Sequence, residues 1–167
     1  ANTPKDLVYA GPFKLSDPLP GADDMTVGEA LLSPTRTYAP VIRELLAKEP
    51  AAVRGLVHCS GGGQTKCLRF GRGVHFVKDN LMPTPPLFET IQKVSKTKWK
   101  EMYRVFNMGH RMEVFCPPEA AEAVIATARR YGIAAQIIGR TEPSEAPEKA
   151  NHLSLYHGKK RLDYKLD

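Results

Sequence analysis

Ser60-Gly61-Gly62-Gly63 is the first segment of this 167-residue chain whose residue types could do chemistry. Successive glycines let several backbone N–H groups converge on one anion, because no Cβ stands in the way. The same string also makes an ordinary tight turn. It lacks the Gly-Lys-Ser/Thr ending of a phosphate-binding P-loop, and its spacing is not that of a dinucleotide fingerprint. The second segment is Asn107-Met108-Gly109-His110-Arg111. An amide followed by a glycine builds an Asx-type turn. On the functional reading, the Asn107 amide and the Arg111 guanidinium are donors aimed at a polar ligand.

His58 and Cys59 stand side by side at the end of an apolar run. A histidine–cysteine nucleophile pair needs both side chains on one face, and neighbouring strand residues point to opposite faces. A thiol protease is therefore disfavoured, and His58 reads as a core or rim residue. His75, His110, His152 and His157 lack the spacing of zinc ligands.

These segments need elements to hold them. Residues 1–28, rich in Pro, Gly and Asp, read as an extended lead-in with turns and one short strand around Leu7–Tyr9. Tyr38, Val41, Ile42, Leu45 and Leu46 then fall on one helical face, with Pro40 in the first turn. Val53–Cys59 reads as a strand running into the glycine loop, and Val74–Lys78 as a second strand. Pro86 opens a helix carrying Leu87, Phe88 and Ile91, and Trp99, Met102, Tyr103 and Phe106 have the helical spacing of core residues. Met112, Val114 and Cys116 alternate as a strand does. The helix after Pro117-Pro118 carries Ala121, Val124, Ile125 and Ala128, with Gly132 at its C-terminal cap. Ile133–Ile138 reads as a strand ending at Gly139, Thr141–Ala150 as a linker, and the remainder as a β-hairpin turning at His157-Gly158-Lys159. The expectation is one α/β (α+β) domain on a mixed sheet: lead-in 1–28, core 29–142, linker and hairpin 143–167.

Composition narrows the function classes. Hydrophobic residues make up 42% and charged residues 25%, the balance of a folded chain. No apolar run approaches the roughly 18 residues of a membrane-spanning helix. The first five residues have no apolar secretion core, so no signal peptide and a cytoplasmic setting are expected. A chain opening on Ala1 is read as a processed product or as a piece of a longer protein. Three widely spaced cysteines do not make a disulfide framework. The net charge of +6 suits nucleic acid or phosphate-bearing small molecules alike. Its excess gathers at Lys93, Lys96, Lys98 and Lys100 and at Lys159-Lys160-Arg161.

In order along the chain stand Leu31-Leu32-Ser33-Pro34-Thr35-Arg36-Thr37-Tyr38, then Val57-His58-Cys59-Ser60-Gly61-Gly62-Gly63, then Glu101-Met102-Tyr103-Arg104-Val105-Phe106-Asn107-Met108-Gly109. A helix and strand ending at Ile138-Gly139-Arg140 follow. Over roughly residues 28–142 this order resembles the C-terminal domain of aminoimidazole ribonucleotide synthetase (phosphoribosylformylglycinamidine cyclo-ligase). The resemblance departs at Gln64-Thr65-Lys66-Cys67, where the family usually continues Leu-x-Glu-Asn. It departs again at His110-Arg111, where Ile-Gly is frequent. These differences mark a divergent branch of the synthetase or a related protein.

The resemblance implies a step of purine biosynthesis in which ATP activates the amide oxygen of formylglycinamidine ribonucleotide and an internal nitrogen closes the imidazole ring. It implies that ATP and Mg²⁺ are bound by an N-terminal domain that this chain lacks, within a homodimeric parent enzyme. This chain would then bind the phosphorylated ribonucleotide through Gly61, Gly62, Gly63, Asn107 and Gly109, with Arg36 and Arg111 as helpers. No metal site is expected here. The alternative is a basic module binding nucleic acid, but no strand interleaves aromatic and basic residues as a base-stacking sheet does, so nucleic acid is not the expected partner.

Overall fold

The structure, a computed structural model, describes Pro4, residues 11–146 and residues 150–166. The strand expected around Leu7–Tyr9 lies outside these. The chain divides into two compact units. One is formed by the described residues up to Thr35 and by Thr84–Lys98, the other by Arg36–Pro83 and Trp99–Asp167.

In the smaller unit, α1 (Val27–Leu32) begins at a capping box. Glu29 N–H donates to Thr26 Oγ1 (3.2 Å), and Thr26 N–H donates back to Glu29 Oε2 (2.8 Å). Two orphan donors of the first turn are thereby satisfied. Of the expected lead-in this helix takes in only the last two residues, Val27 and Gly28. The chain before it folds back, with Val27 N–H on Asp17 O and Gly28 N–H on Leu15 O. The second helix of this unit, numbered α3 in chain order (Pro86–Ser95), starts at Pro86 as expected and ends where Lys96 turns left-handed. It packs against α1. Lys93, Lys96 and Lys98 are exposed, and Lys93 pairs with Glu89 one turn back.

The larger unit holds α2 (Ala39–Lys48), α4 (Trp99–Val105) and α5 (Ala121–Arg130). Val41 and Leu45 of α2 meet Ala128 of α5 in a core completed by Ile42, Val53, Val124, Ile133 and Ala135. Burying a side chain such as Leu45 contributes about 1.5–3 kcal/mol. Gly132, at φ +66°, ends α5 and lets Ile133 N–H return to Ala128 O at 3.1 Å.

Two sheets accompany the helices. Strands β1 (Gly55–His58) and β3 (Met112–Phe115) pair antiparallel. A four-stranded mixed sheet has the order β4 (Gly139–Pro143), β2 (Val74–Lys78), β5 (His152–His157), β6 (Lys160–Lys165). Its β2–β5 pair is parallel and its other pairs are antiparallel. The terminal hairpin turns at Gly158, φ +58°. The ring of Phe76 on β2 meets that of Phe115 on β3 edge-on, centroids 5.7 Å apart.

One element is displaced from its expected place. The strand lies at Gly139–Pro143, not at Ile133–Ile138, and so begins the segment expected as linker. The apolar run contributes Ile133 and Ala135 to the α2–α5 core and forms no ladder. β4 is an edge strand, where polar residues and a terminal proline are tolerated. Gly139 is needed at its start, because a Cβ there would run into the Val77 carbonyl.

Candidate functional site: the glycine loop and the 107–111 corner

Leaving β1, the chain passes Cys59, whose N–H donates to Arg111 O at 2.9 Å. Gly61, Gly62 and Gly63 then take three consecutive left-handed conformations, φ +59°, +98° and +47°. A side chain at each would be strained, so the triple glycine is a conformational requirement. Gly61 is exposed, Gly62 half-buried and Gly63 buried, and a short 3₁₀ helix, Gly63–Arg69, follows. Thr65 closes the turn, its N–H and Oγ1 donating to Gly62 O at 2.9 and 2.8 Å.

The second segment is a tight turn after α4. Met108 and Gly109 have φ +53° and +96°, and His110 N–H returns to Asn107 O at 3.0 Å. The Asn107 side-chain oxygen accepts from Gly109 N–H at 2.9 Å, the Asx-type arrangement.

Gln64, fully buried, ties the two segments together. Its Nε2 donates to Asn107 O (2.6 Å) and reaches His110 O (3.5 Å). Lys78, at the end of β2 and 4% exposed, donates to Gln64 O (2.8 Å), Gln64 Oε1 (3.2 Å) and Glu113 Oε1 (2.5 Å). The Cys59 thiol donates to the same Glu113 oxygen at 3.3 Å. Burial pulls the Lys78 pKa down, but the groups around it, the Glu113 carboxylate foremost, together more than offset this and hold the ammonium above its ordinary value. Burial, reinforced by Glu113, pushes the Cys59 thiol far up. Burial also takes Cys67 to about 11. Neither thiol is a nucleophile at neutral pH.

His110 is held neutral. Burial, then the Lys78 charge, lowers its pKa. Met82 N–H donates to its Nε2 at 2.9 Å, so the remaining proton sits on Nδ1. That nitrogen faces the carbonyls of Asn107 and Met108 without closing a hydrogen bond.

Five of the expected residues, Gly61, Gly62, Gly63, Asn107 and Gly109, therefore belong to one clamped assembly, and Arg111 follows directly from it. The Arg111 guanidinium forms no hydrogen bond or ion pair among the described residues. Arg36 is placed elsewhere: its Nη1 donates to Gly132 O at 3.1 Å, capping the carboxyl end of α5. Gln64, Lys78, His110 and Glu113 were not singled out as site residues. Their one sequence signal is Lys78, a charge in phase with the core residue Phe76 on a short strand.

Gly109, His110 and Arg111 also line a cleft of about 700 Å³. Its walls include Val41, Leu45, Phe115 and Val124, so they are largely apolar. Among the described residues no group of three or more His, Cys, Asp or Glu is arranged to hold a metal ion. No helix among them is long and apolar enough to cross a membrane. With the Cys59 and Cys67 thiols inert and a neutral, buried histidine, the clamped residues can bind and orient a ligand rather than attack it.

The family described as AIR synthase related protein, C-terminal domain, matches residues 13–148. The phosphoribosylformylglycinamidine cyclo-ligase of Methanocaldococcus jannaschii is 40% identical over 119 residues, 71% of this chain and 34% of that protein. Its Methanococcus vannielii counterpart is 36% identical over 141 residues, 82% of this chain and 40% of that protein. The chain thus spans little more than a third of the length of these relatives. Among solved structures, E. coli HypE, a hydrogenase maturation protein, superposes with a TM-score of 0.54 at 18% identity, covering 85% of this chain and 44% of that one. That likeness is one of fold. The family match spans most of the chain, and the two cyclo-ligases are 40% and 36% identical to it over 119 and 141 residues, so the chain belongs to the AIR synthase related family, as its C-terminal domain type.

Proposed function

We propose that this chain is the substrate-side domain of an ATP-dependent cyclo-ligase of purine biosynthesis. The reaction converts formylglycinamidine ribonucleotide and ATP to aminoimidazole ribonucleotide, ADP and phosphate. The observation that carries this reading is the clamp itself: three left-handed glycines locked by Gln64 against the Asn107–His110 turn, with the Arg111 guanidinium, unpaired among the described residues, following it. Clustered backbone N–H groups and a guanidinium suit a single phosphate ester. Arg36, tied to α5, is left out of the proposed site.

In this reading a partner N-terminal domain brings ATP and Mg²⁺, within a homodimeric enzyme. The amide oxygen attacks the terminal phosphorus, forming an O–P bond and releasing ADP. The internal amine nitrogen then attacks the activated carbon, the C–O bond breaks, and phosphate leaves. The residues of this chain hold the ribonucleotide phosphate and fix its orientation, while the cleft beside Arg111 accommodates the rest of the substrate. Fixed geometry of this kind lowers the barrier without supplying a nucleophile.

The test is phosphate release from formylglycinamidine ribonucleotide and MgATP. The 167-residue chain alone is expected to be inactive, and adding the N-terminal domain of the same enzyme is expected to restore turnover. A companion titration compares ribose 5-phosphate with a short RNA at two salt concentrations. Weak ribose 5-phosphate binding, lost in Gly62→Val, supports the reading. Tight, steeply salt-dependent RNA binding through Lys93–Lys100 would sink it.

A further inference from the structure

The ammonium of Lys78 has three N–H donors, and each has a partner: two go to Gln64 (its carbonyl O and its Oε1) and one to Glu113. A buried ion pair needs only one such contact. Replacing a buried pair with apolar residues is frequently neutral or stabilising, so stability alone does not account for a charge at this position. The arrangement does fix one thing that an apolar residue would not. With Oε1 held by the ammonium, the Gln64 side chain must present its NH₂ to the carbonyls of Asn107 and His110. The flipped amide would set NH₂ against a cation and an oxygen against two carbonyl oxygens. The Gln64 carbonyl, one residue beyond Gly63, is held by the same ammonium.

We propose that Lys78 is the positioning residue of the glycine loop. Through Gln64 it sets the orientation and separation of the 61–63 loop and the 107–111 corner, and Glu113 keeps it charged for that task. Lys78 does not touch the ligand, because its three donors are already engaged. The residue acts at a distance, by fixing which way the Gln64 amide faces. The ligand-binding arm of the test rests on the function proposed above; the backbone arm does not.

Two variants of the full 167-residue chain separate positioning from simple charge neutralisation. Lys78→Met combined with Glu113→Leu removes both charges. Gln64→Leu keeps the ion pair and cuts the clamp. The readouts are amide NMR shifts of Gly61, Gly62, Met108 and Gly109, ribose 5-phosphate affinity, and the melting temperature. Both variants are expected to stay folded, with melting shifted by no more than about 5 °C. Loop and corner amides should move in both. Affinity should fall roughly tenfold, the scale of losing one charge-assisted hydrogen-bond network. Loop and corner signals that superimpose on those of the unaltered chain in either folded variant would overturn the proposal. If the double variant does not fold, Gln64→Leu decides by itself. If the unaltered chain binds no ribose 5-phosphate, the functional reading fails, while the amide shifts still decide the positioning role.

Discussion

A methyl group on Gly63 would stand 2.7 Å from the Tyr103 carbonyl oxygen, so the glycine loop and α4 meet backbone to backbone. The loop is thus anchored at its third glycine and open at its first, where a Cβ would meet nothing within 4 Å.

This asymmetry separates two substitutions that sequence alone would treat alike. Gly63→Ala combines a strained φ with a clash against carbonyls that cannot move independently, and is expected to cost about 2–5 kcal/mol. Gly61→Ala bears only the left-handed penalty, about 1 kcal/mol. Urea unfolding of the two variants measures the difference. Equal losses would mean that the Gly63 contact is relaxed in solution.

The Lys78–Glu113 pair predicts a non-additive result. Lys78→Met alone leaves a buried carboxylate without its cation, at a cost of about 3–5 kcal/mol. Adding Glu113→Leu should recover most of that. A double variant as unstable as the sum of the single changes would show that the two side chains are not coupled.

Acid should loosen the α2–α5 contact. Lys48, Tyr131 and Arg130 all donate to Glu44, which takes its pKa from 4.5 down to about 2. A depressed folded-state pKa stabilises the fold above the unfolded value, and that contribution fades as pH falls from about 4.5 towards 2. Glu44→Gln should therefore lower the melting temperature at neutral pH, with the difference closing as pH falls through about 2. The effect is modest, since the surrounding ion pairs reach solvent. A gap between the two proteins that persists in acid would contradict this assignment.

The thiols should react in a fixed order. Burial raises the pKa of all three, but Cys59 and Cys67 are buried whereas Cys116 is half-buried. A disulfide-exchange reagent at mildly alkaline pH should modify Cys116 first and the other two only on unfolding. Rapid labelling of Cys59 in the folded chain would mean that the Lys78–Glu113 region opens readily.

Much of the architecture is legible along the chain because the forces that set it are local. Pro40 and Pro86 lie in the first turns of their helices, Gly132 and Gly158 terminate or turn where a left-handed residue is needed, and apolar periodicity marks α2, α4 and α5. Thr26 and Glu29 also announce α1 by their spacing, a signal masked by the Pro- and Asp-rich residues around it. Local pattern could not place β4, because the register of an edge strand is dictated by the strand it joins: Gly139 pairs with Lys78, while the more apolar Ile133–Ile138 forms no ladder and sends only Ile133 and Ala135 to the helical core. The motifs 61–63 and 107–109 were visible as residue types, but not what joins them. Gln64, Lys78 and Glu113 come from three separate segments and carry no shared period, and Arg36 looks like an anion ligand until α5 presents the Gly132 carbonyl to it. Short-range sterics determine which residues can turn, coil or extend. Which buried charge finds its partner is decided only when strands distant in sequence are brought face to face, because an unpaired charge in that interior would be too costly to keep.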